Sequence, residues 1–114
     1  MDRTGVTVGV AVAELAAARK WYERVFELGP PEYEPVPGVA EYDLGGCWLQ
    51  LMRVPAPAPG EWVLRLGVAD AAAERDRIAS LGVAVGELIR VEGAVAYFEF
   101  TDPDGNQLSC YTEL

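Results

Sequence analysis

The sequence predicts an α+β protein built from two βαβββ modules in tandem. Three observations carry this. Two stretches of helical period, one in each half, are each preceded by an alternating, strand-like run. A Pro-Ala segment at residues 55–60 divides the 114-residue chain near its midpoint. The chain closes on YFEFTDPDGNQLSCYT (97–112), two alternating runs flanking Asp102-Pro103-Asp104-Gly105-Asn106. Pro103 presets φ, the Asp102 side chain bonds the backbone ahead of it, and Gly105 tolerates positive φ, so the segment predicts a β-hairpin with a loop of four or five residues.

TGVTVGVAV (4–12) puts Val6, Val8, Val10 and Val12 on one face at period two, as in a strand packed on one side. ELAAARKWYERVFEL (14–28) changes to helical spacing, with Leu15, Ala18, Tyr22, Val25 and Phe26 on one side and Arg19, Lys20, Glu23 and Arg24 on the other. Gly29-Pro30-Pro31 is the expected stop, with Gly29 as C-cap. Residues 32–36 form a short edge strand weakened by Pro35. Residues 39–44 and 47–54 are strands joined across Gly45-Gly46. Pro55 to Gly60 alternates Pro and Ala, which favours extended polyproline II and a semi-rigid spacer.

Beyond it the order repeats. EWVLRLGV (61–68) alternates, and DAAAERDRIASL (70–81) is a helix with Asp70 as N-cap and Gly82 at its C-terminal end. Strands follow at 83–91, 94–101 and 107–112. The expected organisation is one domain, 1–114, with module one at 4–54, a linker at 55–60 and module two at 61–114. The repeat rests on element order and on parallels such as VAVAEL against LGVADA.

Composition narrows the function classes. A formal charge of −9 without a basic cluster argues against nucleic acid and anionic membranes as partners. No apolar run reaches bilayer length and the N-terminus has no secretory pattern, so the cytoplasm is the expected compartment. Cys47 and Cys110 are too few for a disulfide framework, lack metal-type spacing and serve as small hydrophobes in strands. The chain contains no histidine, which closes imidazole-based acid, base, metal and triad chemistry to it.

KWYERVFELG (20–29) is similar to an F-Y-x-x-x-L-G pattern, and FTDPDGNQLSCYTEL (100–114) is close to F-x-D-P-D-G-N. With VADAAAERDRIASLGV (68–83) between them, the chain resembles the vicinal oxygen chelate superfamily of glyoxalases, bleomycin resistance proteins and extradiol dioxygenases. The resemblance implies a curved mixed sheet forming a cup around a ligand, and in many members a homodimer. It also implies metal-ligand positions on the first and last strand of each module, which here carry Thr7, Gln50, Val63 and Ser109. A valine, two hydroxyls and an amide do not suit a transition metal, which takes imidazole, thiolate or carboxylate donors. No metal and no cofactor is therefore expected.

Strand alternation assigns the cup-facing side chains: Thr7, Gly9, Trp48, Gln50, Met52, Val63, Arg65, Tyr97, Glu99, Ser109 and Tyr111. Val6, Val8, Val10, Leu49, Leu51, Leu64, Leu66, Phe98, Phe100, Leu108 and Cys110 share the parity that packs under the helices. The cup-facing set combines apolar walls with a few orienting polar groups, as small-molecule sites do. Trp48 and Tyr111 either line that site or fill a dimer interface. Arg65 and Glu99 either pair with each other or meet a ligand, Arg65 presenting its planar fork to an acidic group. The leading expectation is a metal-independent protein that binds or sequesters an amphipathic or aromatic ligand, resembling the antibiotic-binding resistance proteins. The alternatives are a metal-independent enzyme of lyase or isomerase type, with Glu99 as base and Tyr97 or Tyr111 as acid, and a structural or regulatory homodimer.

Overall fold

Strand β1 (Thr7–Val12), helix α1 (Leu15–Val25) and strands β2 (Val39–Asp43) and β3 (Trp48–Arg53) make the first half of the computed structural model, which describes residues 1–114. The second half holds β4 (Val63–Gly67), α2 (Ala71–Ser80), β5 (Ile89–Val91), β6 (Val95–Thr101) and β7 (Gln107–Glu113). The chain divides into two compact units, 1–58 and 59–114, with the boundary inside the Pro-Ala segment. No helix is long and apolar enough to cross a membrane.

In module one β3 lies centrally, parallel to β1 and antiparallel to β2. The helix buries Ala18, Tyr22 and Val25, a stripe at spacings of four and three, against β2 and β3. Val10, Val12, Ala40, Tyr42, Leu49 and Leu51 complete this core. Module two repeats the plan with one more strand, in the order β4-β7-β6-β5; β4 runs parallel to β7 and the other pairs are antiparallel. Its core is Ala71, Ile78, Ala96, Phe98, Phe100, Leu108 and Cys110. Asp70 caps α2 by accepting from the Ala73 amide at 3.0 Å. Thr112 Oγ1 accepts from the Ala71 amide and donates to the Val68 carbonyl, tying the start of α2 to β7.

The registers expose the internal repeat residue by residue. Gly9, Gln50 and Glu41 form one row across β1, β3 and β2. Arg65, Ser109 and Glu99 form the equivalent row across β4, β7 and β6.

Four expectations need correction. Residues 32–36 make no strand: Tyr33 forms a single bridge to Glu41, because Pro35 and Pro37 interrupt the donors a ladder requires. Module one is therefore βαββ plus a bridge. Most of 83–91 is irregular, Val85 bridging Phe100 and only Ile89–Val91 pairing as a strand. Gly86 approaches β6 so closely that an added Cβ would sit 3.0 Å from the Glu99 carbonyl oxygen. Helix α1 stops before Gly29: Glu27 takes the left-handed position at φ 54°, and the Leu28 amide bonds back to the Glu23 carbonyl. Val6 precedes β1 and is 56% exposed rather than packed under a helix, and Leu64 and Leu66 are only half-buried.

Burial has a consequence at alkaline pH. The Cys110 thiol is pushed from 9.0 up to about 11, first by burial and then by the negative charge of Glu74. Tyr42 is raised well above its ordinary 10.0, first by burial and then by donating to Glu23 Oε2 at 2.6 Å. Both groups hold their protons longer folded than unfolded, so their contribution to stability is fully present below about pH 9 and is lost as pH rises through the shifted values. Melting temperatures should be level near neutrality and decline from about pH 9, more steeply past 10 as Tyr42 joins. Cys110→Ala should flatten the first part of that decline, and an unchanged slope would contradict the assignment.

Candidate functional site

On β6 and β7, Phe98, Phe100, Leu108 and Cys110 face the core, so alternation turns Tyr97, Glu99, Ser109 and Tyr111 to the opposite, helix-free face. Arg65 on β4 joins them through its pairing with Ser109. Ser109 is fully buried although it lies on this face, and its Oγ accepts from Arg65 Nη1 at 3.1 Å. The same nitrogen stands 3.4 Å from Glu99 Oε2, and the guanidinium carbon lies 5.7 Å from the centre of the Tyr97 ring. Arg65 and Glu99 therefore pair with each other, both side chains 48% exposed. At that exposure the pair contributes little stability.

Tyr97 pairs directly with Tyr111 across the strands. Gly67, beside Tyr111 on β4, leaves the ring its room: a Cβ there would sit 3.0 Å from the ring carbon Cζ and the hydroxyl. Arg65, Val95, Tyr97 and Tyr111 line an open cavity of about 600 Å³. That volume suits a small organic molecule.

The helix-free face of module one is of another character. Thr7 is exposed, and Trp48, Gln50 and Met52 are half-buried. Gln50 Nε2 donates to Glu41 Oε2 at 2.9 Å, and Trp48 packs against Tyr33 with ring centres 5.6 Å apart. Gly9 accommodates the Met52 tip, which an added Cβ would meet at 2.9 Å.

This two-module chain is covered by one family model. The Glyoxalase/Bleomycin resistance protein/Dioxygenase superfamily matches residues 5–109. The chain belongs to that superfamily. Among solved structures it is similar to a glyoxalase/bleomycin resistance protein from Catenulispora acidiphila DSM 44928, at 25% identity over 98% of this chain and 100% of that one, TM-score 0.79. TnmS3, an antibiotic binding protein from Streptomyces sp. CB03234, shares 22% identity over 100% and 99% of the two chains, TM-score 0.84. A lactoylglutathione lyase from Agrobacterium tumefaciens shares 19% identity over 98% and 95%, TM-score 0.78. The same fold thus occurs in an antibiotic binding protein and in a lyase. No curated protein sequence is significantly similar to this superfamily member.

At the four positions that the sequence resemblance assigns to metal ligands, the side chains do not fit a transition metal. Val63 offers no donor atom, Thr7 and Gln50 offer only a neutral hydroxyl and a neutral amide oxygen, and the Ser109 oxygen accepts from a guanidinium. A fixed cation 3.1 Å from that oxygen repels a second one. Nowhere do three His, Cys, Asp or Glu side chains gather as a metal site requires.

Of the residues expected in the site, module two brings Arg65, Tyr97, Glu99, Ser109 and Tyr111 together. Val63 lies on β4 with Arg65 without lining the cavity. Thr7, Trp48, Gln50 and Met52 lie on β1 and β3 of module one. Three residues escaped sequence reasoning. Val95 shares parity with Tyr97 and was open to the same alternation argument. Glu41 faces with Gln50, which only the β2–β3 register reveals. Tyr33 was expected in an edge strand and instead makes an isolated bridge, so its contact with Trp48 had no local signal.

Proposed function

We propose that this protein binds a small amphipathic molecule with an aromatic portion on the helix-free face of module two, without a metal and without converting it. The observation that supports this best is the cavity of about 600 Å³ walled by Tyr97, Tyr111 and Val95, with Arg65 as its orienting polar group. Apolar walls with few polar anchors suit retention of a ligand. TnmS3, a relative in fold, is an antibiotic binding protein, a function of the kind proposed here. The enzymatic alternative is less favoured, because Glu99 is engaged by Arg65 and is not among the residues lining the cavity. A homodimer is part of the proposal: Leu88, Ile89 and Val91 leave an exposed apolar edge at β5. Sedimentation at micromolar concentration tests that part alone.

A thermal-shift panel of polycyclic and heteroaromatic natural products, run with and without EDTA, tests the binding. A ligand at about a hundred times its Kd should stabilise the protein by about 2.7 kcal/mol. A panel without any stabilising compound would defeat the proposal, and stabilisation lost in EDTA would defeat its metal independence. Product analysis after incubation separates binding from turnover.

A further inference from the structure

We infer that the ligand carries a carboxylate joined to a planar ring, and that Arg65 receives it through the free Nε–Nη2 edge of its guanidinium. This rests on the binding proposal and narrows it to a chemical class.

Arg65 is the only cation among the residues lining the cavity. Its polar contacts within the chain both fall on one nitrogen, Nη1, which meets Ser109 Oγ at 3.1 Å and Glu99 Oε2 at 3.4 Å. The Tyr97 ring lies under the guanidinium carbon at 5.7 Å. Nε and Nη2 meet no acceptor of this chain, so two neighbouring N–H groups remain as a fork. That fork matches the two oxygens of a carboxylate, which it binds through parallel, charge-assisted hydrogen bonds.

The guanidinium is also prepared for this role. Ser109 is fully buried and accepts from Nη1, while the Tyr97 ring lies against the face of the guanidinium. Less ordering is then needed when a ligand arrives. Glu99 occupies Nη1 only loosely, since 3.4 Å is longer than the 2.7–2.9 Å typical of a charge-assisted bond. Tyr97, Tyr111 and Val95 line the same cavity as Arg65, an apolar wall at which a ring attached to the carboxylate can stack. The chain's charge of −9 opposes anions at long range, but that field is screened over about 8 Å at physiological ionic strength. A single acidic group close to Arg65 is favoured over several.

Isothermal titration of 2-naphthoate, 2-naphthamide and 2-naphthylmethylamine into the full chain separates the possibilities. Naphthoate should bind at least about tenfold more tightly than the amide. Arg65→Gln should abolish that preference, weakening naphthoate at least about tenfold more than the amide, and Arg65→Lys should restore only part of it because lysine has no fork. Glu99→Gln, which removes a nearby negative charge while Ser109 still holds Nη1, should tighten naphthoate several-fold. Circular dichroism confirms that each variant is folded. Equal affinity for acid and amide, or an Arg65→Gln variant that keeps the preference, overturns the inference and leaves the binding proposal standing. Preference for the amine, lost in Glu99→Gln, overturns it in favour of a cationic ligand. Absence of naphthoate binding up to millimolar concentration also overturns it, and the natural-product panel then decides separately whether the binding proposal survives.

Discussion

Phe98→Ala should lower the melting temperature by roughly 10–30 °C, from a loss of about 3–5 kcal/mol and roughly 3–6 °C per kcal/mol at this chain length. Phe98 is wholly buried at the middle of β6, stacked on Phe100 with ring centres 5.6 Å apart, and α2 packs against this strand. Truncation removes the buried ring and leaves a cavity that paired strands cannot close. The loss is a large part of the 5–15 kcal/mol that stabilises an ordinary domain. It bears on function because Tyr97 and Glu99 flank Phe98 and project from the other face of the same strand. Phe98→Leu keeps most of the volume and should cost well under half as much, with ligand-induced stabilisation retained. Scanning calorimetry of the two variants checks this; an Ala variant melting with the native protein would remove Phe98 from the core.

The sequence was most legible where a single strand or helix determines its own facing. Valines at period two gave β1, the Ala18-Tyr22-Val25 stripe gave α1, and Asp70 gave the start of α2. It was least legible where competing local effects decide an end. Glu27 instead of Gly29 takes the left-handed turn because the helix runs out at Phe26, and a non-glycine there costs only about a kilocalorie per mole. Residues 83–88 have strand-type side chains, but the close approach of Gly86 to β6 and the Arg75 bond to the Gly86 carbonyl hold them outside the ladder.

The site was half legible for a similar reason. Alternation assigns a side chain to a face without knowledge of its neighbours, and the strands carrying Arg65, Tyr97, Glu99 and Tyr111 are paired in the structure. Register is a property of strand pairs distant in sequence, and nothing local encodes it. Hence the row Arg65–Ser109–Glu99, which joins residues 44 positions apart in its first contact, and its counterpart Gly9–Gln50–Glu41 emerged only from the structure. The burial of Ser109 shows the same limit. Its parity was right, but its access depends on a long side chain from another strand lying over it. The two rows differ as their chemistry requires: Glu41 has a neutral amide for a partner, whereas Glu99 has a cation with donors to spare.

Asp102→Ala should cost about 2–4 kcal/mol, from two or more hydrogen bonds to a buried acceptor at about 1–3 kcal/mol each, not fully additive. Asp102 is 4% exposed, and its Oδ1 accepts from the Asp104 and Asn106 amides at 2.9 Å each. Its Oδ2 accepts from Asn106 Nδ2 at 2.8 Å, and Asn106 is itself buried. The loop between the paired ends Thr101 and Gln107 is five residues long, and Gly105 completes it at φ 86°. An alanine would leave the Asn106 amide groups buried without this acceptor. Asp102→Asn separates hydrogen bonding from space filling. Its amide oxygen can still accept from the two backbone amides, but its NH₂ would face the NH₂ of Asn106, so about half the loss should return. Because β7 carries Ser109 and Tyr111 immediately beyond this loop, loosening it should also weaken ligand binding in the alanine variant more than in the asparagine one. Equal melting temperatures for native, Asn and Ala proteins would show that the turn is set by Pro103 and Gly105 alone.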